Sequence, residues 1–245
     1  MTKKQLELRG LSFIGEGQEP AALKFSSGLN VVCGASDTGK SFVMEAIDFM
    51  LGGSQAPRDL PERLGYEAVV LGVRSSGHEN SLERGISGGG YKLFDGPMVQ
   101  YQGSEPTAML KARHKADAQD NLSGWLLSRC GLFSKRIQTN KKGDTKSLSF
   151  RDLARLIVVQ EEEVIKKESP FLTGQYTTKT SEKSTLKLIL TGVDDSALVS
   201  ESVDDAEIES RVVKVSLLDE WIYDLQNEIE RTNADREAIE KQLQK

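Results

Sequence analysis

The first third of the chain alternates short apolar runs with polar, glycine-containing turns, which is the pattern of β-strands, and it contains one helical segment. Residues 41–51 (SFVMEAIDFML) carry apolar side chains at helical spacing and precede Gly52 and Gly53, which favour the end of a helix. The apolar run at 29–33 (LNVVC) predicts a short buried strand shortly before that helix. Further strands are predicted at residues 6–9, 11–13 and 23–25.

The middle of the chain continues this mixture of strands and helices. Two of the apolar runs flank a glycine-rich turn and predict a β-hairpin, and Ser149 is a capping residue at the start of a predicted helix. The last apolar strand of the region is predicted to end at Gln160. The predicted elements are strands at 66–73, 82–86, 91–94 and 156–160, and helices at 124–133, 149–155 and 180–192.

Beyond residue 206 the chain becomes rich in charge, with apolar residues at every third or fourth position. With Ile208 as the first a position of a heptad, eight of the eleven a and d positions up to Leu243 are apolar. The segment contains neither Pro nor Gly, so it predicts a coiled-coil helix. A single long surface helix is the alternative. The pattern predicts two domains, residues 1–200 and the coiled coil at 206–245.

The stretch at 34–41 (GASDTGKS) matches the phosphate-binding pattern G-x-x-x-x-G-K-[ST] at every fixed position. A strand, a glycine loop and a helix in this order direct several backbone N–H groups at one anionic point. Lys40 is predicted to bridge the β- and γ-phosphates of ATP, and the Ser41 hydroxyl to bind Mg²⁺. The predicted ATP-binding residues are Gly34, Ala35, Ser36, Asp37, Thr38, Gly39, Lys40, Ser41 and Phe42.

The charge of the chain is unevenly distributed. The net charge is −5 over 245 residues, which argues against a protein that coats nucleic acid. Residues 108–151 nevertheless hold ten Lys or Arg against three Asp. Such a basic region is compatible with contacts to the DNA backbone, and a solvated loop is the alternative. The residues chosen as DNA contacts in this region are Lys135, Arg136, Lys141 and Lys142.

The sequence predicts a cytoplasmic protein without a membrane segment. No stretch approaches the roughly 20 apolar residues of a membrane span, and the first residues lack the apolar region of a signal peptide. The two cysteines, Cys33 and Cys130, are too few for a disulfide scaffold, and Cys33 is predicted to be buried at a strand end. Association with the nucleoid is left open.

The order of these parts resembles the N-terminal half of the ATPase head in the SMC, RecN and double-strand-break-repair ATPases of the ABC superfamily. The resemblance rests on residues 25–34, which lead into the phosphate loop, on 46–52 after it, on the hairpin that contains Arg84 and on the coiled-coil segment. It implies an α/β fold: an ABC-type P-loop NTPase lobe, with a mixed β-sheet and helices, that continues into a coiled coil.

The resemblance also implies roles for further residues. Heads of this family carry a glutamine that helps to hold the metal and senses the γ-phosphate, and Gln160, 120 residues after Lys40, matches it. Lys40 and Gln160 are therefore expected to act in catalysis, with Ser41 and Gln160 at the metal. Related heads can place a DNA-sensing arginine after the first helix, where this chain has Arg58 and Arg63.

Two features depart from the family pattern. Asp37 adds a negative charge where the family usually has Pro-Asn-Gly-Ser in the loop. The sequence also lacks a Leu-Ser-Gly-Gly-Gln-type motif followed by a strand ending in Asp-Glu, which in the family lies in a C-terminal half beyond the coiled coil. The expected partners are therefore that C-terminal half, a second head in a homodimer, DNA, and accessory or nuclease subunits. The process is expected to be chromosome maintenance, DNA repair or defence against phages and plasmids.

Two other functions stay open at this point. A self-contained small P-loop NTPase or kinase would need its own carboxylate, for which Glu161, Asp194 and Asp195 are the candidates. A nucleotide-stabilised coiled-coil interaction module would bind ATP without hydrolysing it.

Overall fold

The computed structural model describes residues 5–36, 38–98, 104–159, 167, 169, 171–198, 213–223, 225, 226 and 229. The chain forms two compact units, Met1–Val199 and Ser200–Lys245. The phosphate-loop motif and all the named strands and helices belong to the first unit.

A six-stranded sheet forms the body of the first unit. Its strands are β1 (Leu6–Ile14), β2 (Ala21–Lys24), β3 (Ala68–Ser75), β4 (His78–Gly85), β5 (Tyr91–Asp95) and β6 (Ala108–Leu110). They lie in the order β2-β1-β3-β4-β5-β6, and each pairs antiparallel with its neighbours. The prediction of a mixed sheet is therefore wrong for the described strands, because most of these neighbours are consecutive in sequence and joined by turns that reverse the chain.

Helix α1 (Lys40–Met50) covers one face of this sheet. Its buried residues, Ala46, Ile47, Phe49 and Met50, pack against the inward-facing positions of the strands. Those positions alternate along each strand, as the pleat of a sheet requires. They are Leu11 and Phe13 in β1, Val69, Leu71 and Val73 in β3, Leu82 in β4, and Tyr91 and Leu93 in β5.

Three further α-helices, a short 3-10 helix (Pro61–Arg63) and a small hairpin complete the first unit in the described residues. The helices are α2 (Leu122–Cys130), α3 (Phe150–Ile157) and α4 (Lys179–Thr191), and the hairpin pairs β7 (Arg136–Gln138) with β8 (Thr145–Ser147). Local signals set the helix ends. The Asn121 side chain caps α2, a reciprocal capping box of Ser149 and Asp152 starts α3, and Gly192 ends α4 at φ 72°.

Several predictions from the pattern of apolar residues are confirmed. The helix expected at 41–51 is α1, and Gly52 follows it with φ 97°. The predicted hairpin is β4–β5, with Arg84 opposite Tyr91. The predicted helices at 124–133, 149–155 and 180–192 correspond to α2, α3 and α4. The two strands expected at 6–9 and 11–13 form one continuous strand, β1.

The buried strand predicted at 29–33 is wrong. Residues 29–34 form no strand, and Leu29 and Val31 are 90% and 77% exposed. Cys33, predicted to be buried, is exposed as well. The physical reason is that a strand needs a neighbour: β1 pairs with β2 on one side and β3 on the other, and no described strand lies beside 29–33.

The strand predicted at 156–160 is also wrong over its first part. Leu156 and Ile157 form the last turn of α3, because the capping box at Ser149 starts a helix whose hydrogen bonds continue to Val158. Val158 is buried against the core, but neither it nor Val159 belongs to a strand. Gln160 lies outside the described residues.

In the second unit, residues 213–223 are helical and all are exposed. Apolar side chains are exposed both at the a and d positions of the heptad and elsewhere. Val215, Leu218 and Ile222 occupy a or d positions, and Val213 and Trp221 do not. The other heptad positions before 213 and beyond 229 lie outside the described residues, so the coiled coil stays a prediction.

Helix α3 is linked to α4 by a buried carboxylate. The Glu182 side chain accepts hydrogen bonds from the Thr173 and Thr178 hydroxyls, both at 2.6 Å, and forms an ion pair with Arg155 Nη1 at 3.0 Å. Burial by itself would raise the pKa of Glu182, but these donors and the Arg155 charge outweigh it and hold the pKa below its ordinary value. Glu182 is therefore ionised in the folded protein at neutral pH.

We expect the Glu182→Gln variant to be less stable than the wild type at pH 7 and to lose less stability on acidification. A carboxylate whose pKa is lowered by folding contributes stability above its unfolded pKa, and that contribution disappears as the pH falls through the folded pKa. Urea unfolding at pH 7, 5 and 4 measures the difference, with the exposed Glu16→Gln as the control. If the free energy of unfolding of wild type and of Glu182→Gln changed with pH in parallel, the lowered pKa of Glu182 would be contradicted.

Candidate phosphate-binding site

The loop at 34–41 needs glycine at both of its fixed glycine positions. Gly39, which immediately precedes α1, has φ 83° and ψ 8°, a left-handed conformation that residues with a Cβ adopt at a cost. A Cβ on Gly34 would lie 2.7 Å from Thr38 Oγ1, inside van der Waals contact. The Thr38 hydroxyl itself donates to the Ala35 carbonyl at 2.8 Å, which closes the loop. The two glycines thus permit a tight turn directly before the helix.

The amino-terminal end of α1 is free of side-chain caps. Gly39 has no side chain to accept from the first N–H groups, and the first turn of the helix contains no acidic residue. The uncapped N–H groups and the positive end of the helix dipole form a favourable environment for an anion. Lys40 Nζ lies over the loop, where it donates to the Gly34 carbonyl at 3.0 Å and to the Ala35 carbonyl. The loop therefore combines a lysine ammonium group with open backbone amides.

A cavity of about 870 Å³ opens beside this loop. Thr38, Gly39, Lys40 and Ser41 form its polar end. The remaining walls come from the β1–β2 hairpin, the first turn of α1 and the segment after α1, and they are apolar apart from Arg58, Glu62 and Arg63. The apolar residues of those walls are Leu11, Phe13, Ala21, Ala22, Leu23, Phe42, Val43, Leu60, Pro61 and Tyr66.

Aromatic rings form part of the apolar wall. The rings of Phe13 and Phe42 stack with centroids 5.1 Å apart, and Tyr66 meets Phe13 edge-on at 6.4 Å. The Tyr66 hydroxyl donates to the Glu19 carbonyl at 2.9 Å, so the ring is held beside the turn that joins β1 to β2. A cavity with a cationic, amide-rich end and an aromatic wall suits a ligand that joins phosphates to a planar ring.

Arg58 and Arg63, predicted as DNA contacts, line the same cavity. Arg58 Nε donates to Glu45 Oε1 on α1 at 2.8 Å, and this hydrogen bond lowers the pKa of Glu45, against a smaller opposing effect of burial. Arg63 donates to the Pro57 carbonyl at 2.8 Å and to Asp59 Oδ1 at 2.7 Å. Both guanidinium groups are therefore fixed close to the loop that carries Lys40.

Sequence reasoning assigned no role to the residues at the other end of α1. Arg84 Nη1 donates to the Phe49 carbonyl at 2.7 Å and to the Gly53 carbonyl at 3.0 Å, and the Tyr91 hydroxyl also donates to Phe49 at 3.1 Å. Arg151 forms an ion pair with Asp48 at 2.7 Å. The sequence did contain a signal for Arg84. It lies two residues after Leu82 in β4, and because side chains alternate along a strand, it must face the core as Leu82 does.

The other predicted site residues lie outside this cavity or outside the described part of the chain. Lys135 forms an ion pair with Asp194 at 3.3 Å, and Arg136 donates to the Thr145 carbonyl at 3.0 Å and to its hydroxyl. Lys141 and Lys142 are exposed on the turn between β7 and β8. Asp37, predicted in the loop, and Gln160, predicted at the metal, lie outside the described residues.

Two of the three candidate carboxylates of a self-contained enzyme, Asp194 and Asp195, pair with lysines elsewhere in the fold. Asp195 is buried, pairs with Lys187, and accepts from the Ser184 hydroxyl and from Gln138 N at 2.9 Å. Burial would raise the pKa of Asp195, but these partners outweigh it and lower the pKa. None of these partners lines the cavity beside the loop. Glu161 lies outside the described residues.

The described residues of the loop fit Mg²⁺ and a polyphosphate. No group of three or more His, Cys, Asp or Glu in the described part of the chain is arranged to hold a metal ion. Among the described residues, the Ser41 hydroxyl would hold magnesium together with phosphate oxygens and water, which is how this ion is usually held beside phosphates.

We expect Gly39→Ala and Gly77→Ala to lower the free energy of unfolding similarly, by about 1–2 kcal/mol. Both glycines have positive φ, and a Cβ added at either position would meet open space. Only Gly39→Ala should weaken the binding of inorganic triphosphate, because only Gly39 shapes the loop. Calorimetric titration of both variants measures the contrast, and equal affinities in the two would contradict the site.

One comparison with known proteins agrees with this geometry. The family model described as an AAA domain matches residues 5–245, nearly the whole chain. No curated protein matches the chain. Within the described residues, no helix has the length and apolar character needed to cross a bilayer. Because the family model covers nearly the whole chain, the chain belongs to the AAA domain family, a family of nucleotide-binding P-loop ATPases that is found in SMC-like proteins.

Proposed function

We propose that this chain is the ATP-binding half of an SMC- or RecN-like ATPase head. The observation that carries the proposal is the closed loop in which Lys40 Nζ lies over the Gly34 carbonyl, at the uncapped start of α1 and beside a cavity with an aromatic wall. Lys40 and the loop amides would hold the phosphates of ATP, and Ser41 would hold Mg²⁺. The wall around Phe13 and Phe42 would receive the base.

Magnesium, when bound, would neutralise charge on the β- and γ-phosphates during phosphoryl transfer. The part of this chain is to bind and orient: Lys40 places a positive charge beside the phosphates, and the amides of α1 fix their position. Gln160 is proposed to help hold the metal and to sense the γ-phosphate, as the family resemblance implies. The apolar walls of the cavity would shield one side of a bound nucleotide from water.

The exposed run at 29–33 supports the proposal that the chain supplies only half of the head. A strand directly before a phosphate loop normally lies inside a parallel sheet, where neighbours cover its apolar side chains. Here Leu29, Val31 and Val32 are exposed, and no strand of the described residues pairs with this run. We propose that strands of a C-terminal half pair with this run and bring the Walker B carboxylates and the general base.

Two heads would then close around ATP, each supplying a signature motif to the other, and hydrolysis would separate them. This cycle is proposed to act on DNA in chromosome maintenance, repair or defence against foreign DNA. Accessory or nuclease subunits would act with the head, in the cytoplasm and at the nucleoid. Arg58 and Arg63 line the ATP cavity, so they would link the nucleotide to DNA held nearby.

Replacing Lys40 with alanine should weaken the binding of Mg-ATP about 10- to 100-fold, because a hydrogen bond to a charged group contributes about 1.5–3 kcal/mol. Fluorescence titration with a labelled ATP analogue measures the affinity. The control is Lys183→Ala, which removes an exposed lysine from α4 and should leave the affinity unchanged. Equal affinities for wild type and Lys40→Ala would refute the proposed site.

The double variant Lys141→Glu/Lys142→Glu tests the DNA contact. If both lysines contact phosphates, the slope of log affinity against log salt concentration should become shallower by about 2. The matched control, Lys179→Glu/Lys183→Glu, makes the same charge change at exposed residues of α4. Lys135 and Arg136 are kept intact because they hold the fold. Equal slopes in the two double variants would exclude this turn as a DNA contact.

A further inference from the structure

Arg84 is a buried arginine that lies between the sheet and α1. It is 7% exposed, and its guanidinium group lies 3.9 Å from the centroid of the Phe49 ring and 4.8 Å from that of Tyr91. In the sheet it stands opposite Val69 on β3 and Tyr91 on β5, on the face that receives α1. The group is therefore enclosed by the two layers of the domain.

The partners of this guanidinium are unusual for a buried charge. No carboxylate of the described residues forms an ion pair with Arg84, and its Nε has no hydrogen-bond partner among them. Its acceptors are the carbonyl oxygens of Phe49 and Gly53, at the carboxyl end of α1. A buried charge is costly to desolvate, so a site with only these acceptors is specialised for the end of this helix.

The position of the charge has an electrostatic reason. The last carbonyl groups of a helix carry partial negative charge, which a cation at that end stabilises. Burial raises the pKa of Tyr91 to about 12, so its hydroxyl remains a neutral donor to the Phe49 carbonyl. A cation and a hydroxyl from two adjacent strands thus hold the same carbonyl group. Together they attach the carboxyl end of α1 to β4 and β5.

The amino end of the same helix forms the phosphate site. Helix α1 contains 11 residues and is therefore about 16 Å long. The cavity beside the loop has one wall on the sheet, at Leu11 and Phe13, and its polar end on α1, at Lys40 and Ser41. The distance across that cavity is consequently set by how the helix is seated on the sheet.

We propose that Arg84 is a positioning residue for the phosphate loop: by holding the carboxyl end of α1 against β4 and β5, it sets the place of Lys40 and Ser41 relative to the sheet. The inference rests on the proposed function only in taking Mg-ATP as the ligand. It differs from a local helix cap, which would stabilise the last turn of α1 without affecting its first turn.

The test compares variants of the full 245-residue chain. Arg84→Met keeps the aliphatic stem and removes the charge, whereas Arg84→Lys keeps the charge and loses the planar group. Tyr91→Phe removes a single hydroxyl from the same carbonyl and is the mildest change. The control, Arg129→Met, removes an arginine that lies 4.9 Å from the Trp125 ring, away from α1.

Two readouts are measured at a temperature where every variant is folded. Energetic coupling between separate sites is typically about 5- to 150-fold, so Arg84→Met should weaken Mg-ATP binding about tenfold. Arg84→Lys should recover part of that loss, and Arg129→Met should stay within about twofold of wild type. Amide hydrogen exchange in Arg84→Met should increase at residues 40–44 as well as at 49–53.

The proposal is overturned if Arg84→Met binds Mg-ATP as tightly as Arg129→Met, or if faster exchange is confined to residues 49–53. If Arg84→Met does not fold, the same comparison is made with Arg84→Lys and Tyr91→Phe. If wild type and Lys40→Ala bind Mg-ATP equally, the proposed ATP site has failed, and exchange at residues 40–44 alone decides whether Arg84 positions the loop.

Discussion

The seating of α1 on the antiparallel sheet is the constraint on which the site depends. The two ends of the helix differ in the charged side chains that surround them. Arg84 and Arg151 place positive charge at the carboxyl end, where they contact the Phe49 carbonyl and Asp48. The amino end has no acidic residue in its first turn and no side-chain cap. The negative end of the helix dipole is thus neutralised by nearby positive charge, whereas the positive end has no negative partner in the first turn. This arrangement favours the binding of an anion at the amino end.

The domain is well packed between α1 and the sheet, but exposed in the run before the phosphate loop. Between α1 and the sheet the core is closed by Phe49, Met50 and Tyr91, each at most 1% exposed. The run at 29–33, which precedes the phosphate loop in the chain, has exposed apolar side chains and no described strand paired with it. A loop that is shaped for phosphate but follows an unpaired apolar run is what a divided ATPase head would present.

The sequence was sufficient to predict a structural element wherever that element depends on residues close to it in the chain. The glycines after α1, the capping residue Ser149 and the turn of the β4–β5 hairpin each act over a few residues, and the elements they predict are present. The loop motif was equally local. Its glycine positions have the conformation and the close approach that the pattern requires.

Prediction failed where the outcome depends on distant partners. The run at 29–33 has the composition of a strand, but a strand requires a neighbour, and composition does not reveal whether one is present. Residues 156 and 157 are equally apolar, yet they continue α3 because the helix had already started at its capping box. Arg84 and Glu182 have no sequence pattern of their own, since their roles come from groups 35 and 9 residues away.

The most direct test of the central claim is the steady-state rate of ATP hydrolysis by monodisperse 1–245, with ATP binding measured on the same sample and Lys40→Ala as the control. The account predicts that the chain binds ATP through Lys40 but does not turn it over, because the catalytic carboxylate belongs to the other half of the head. Robust hydrolysis by this chain alone that disappears in Lys40→Ala would contradict the account, since every catalytic group would then lie within these residues.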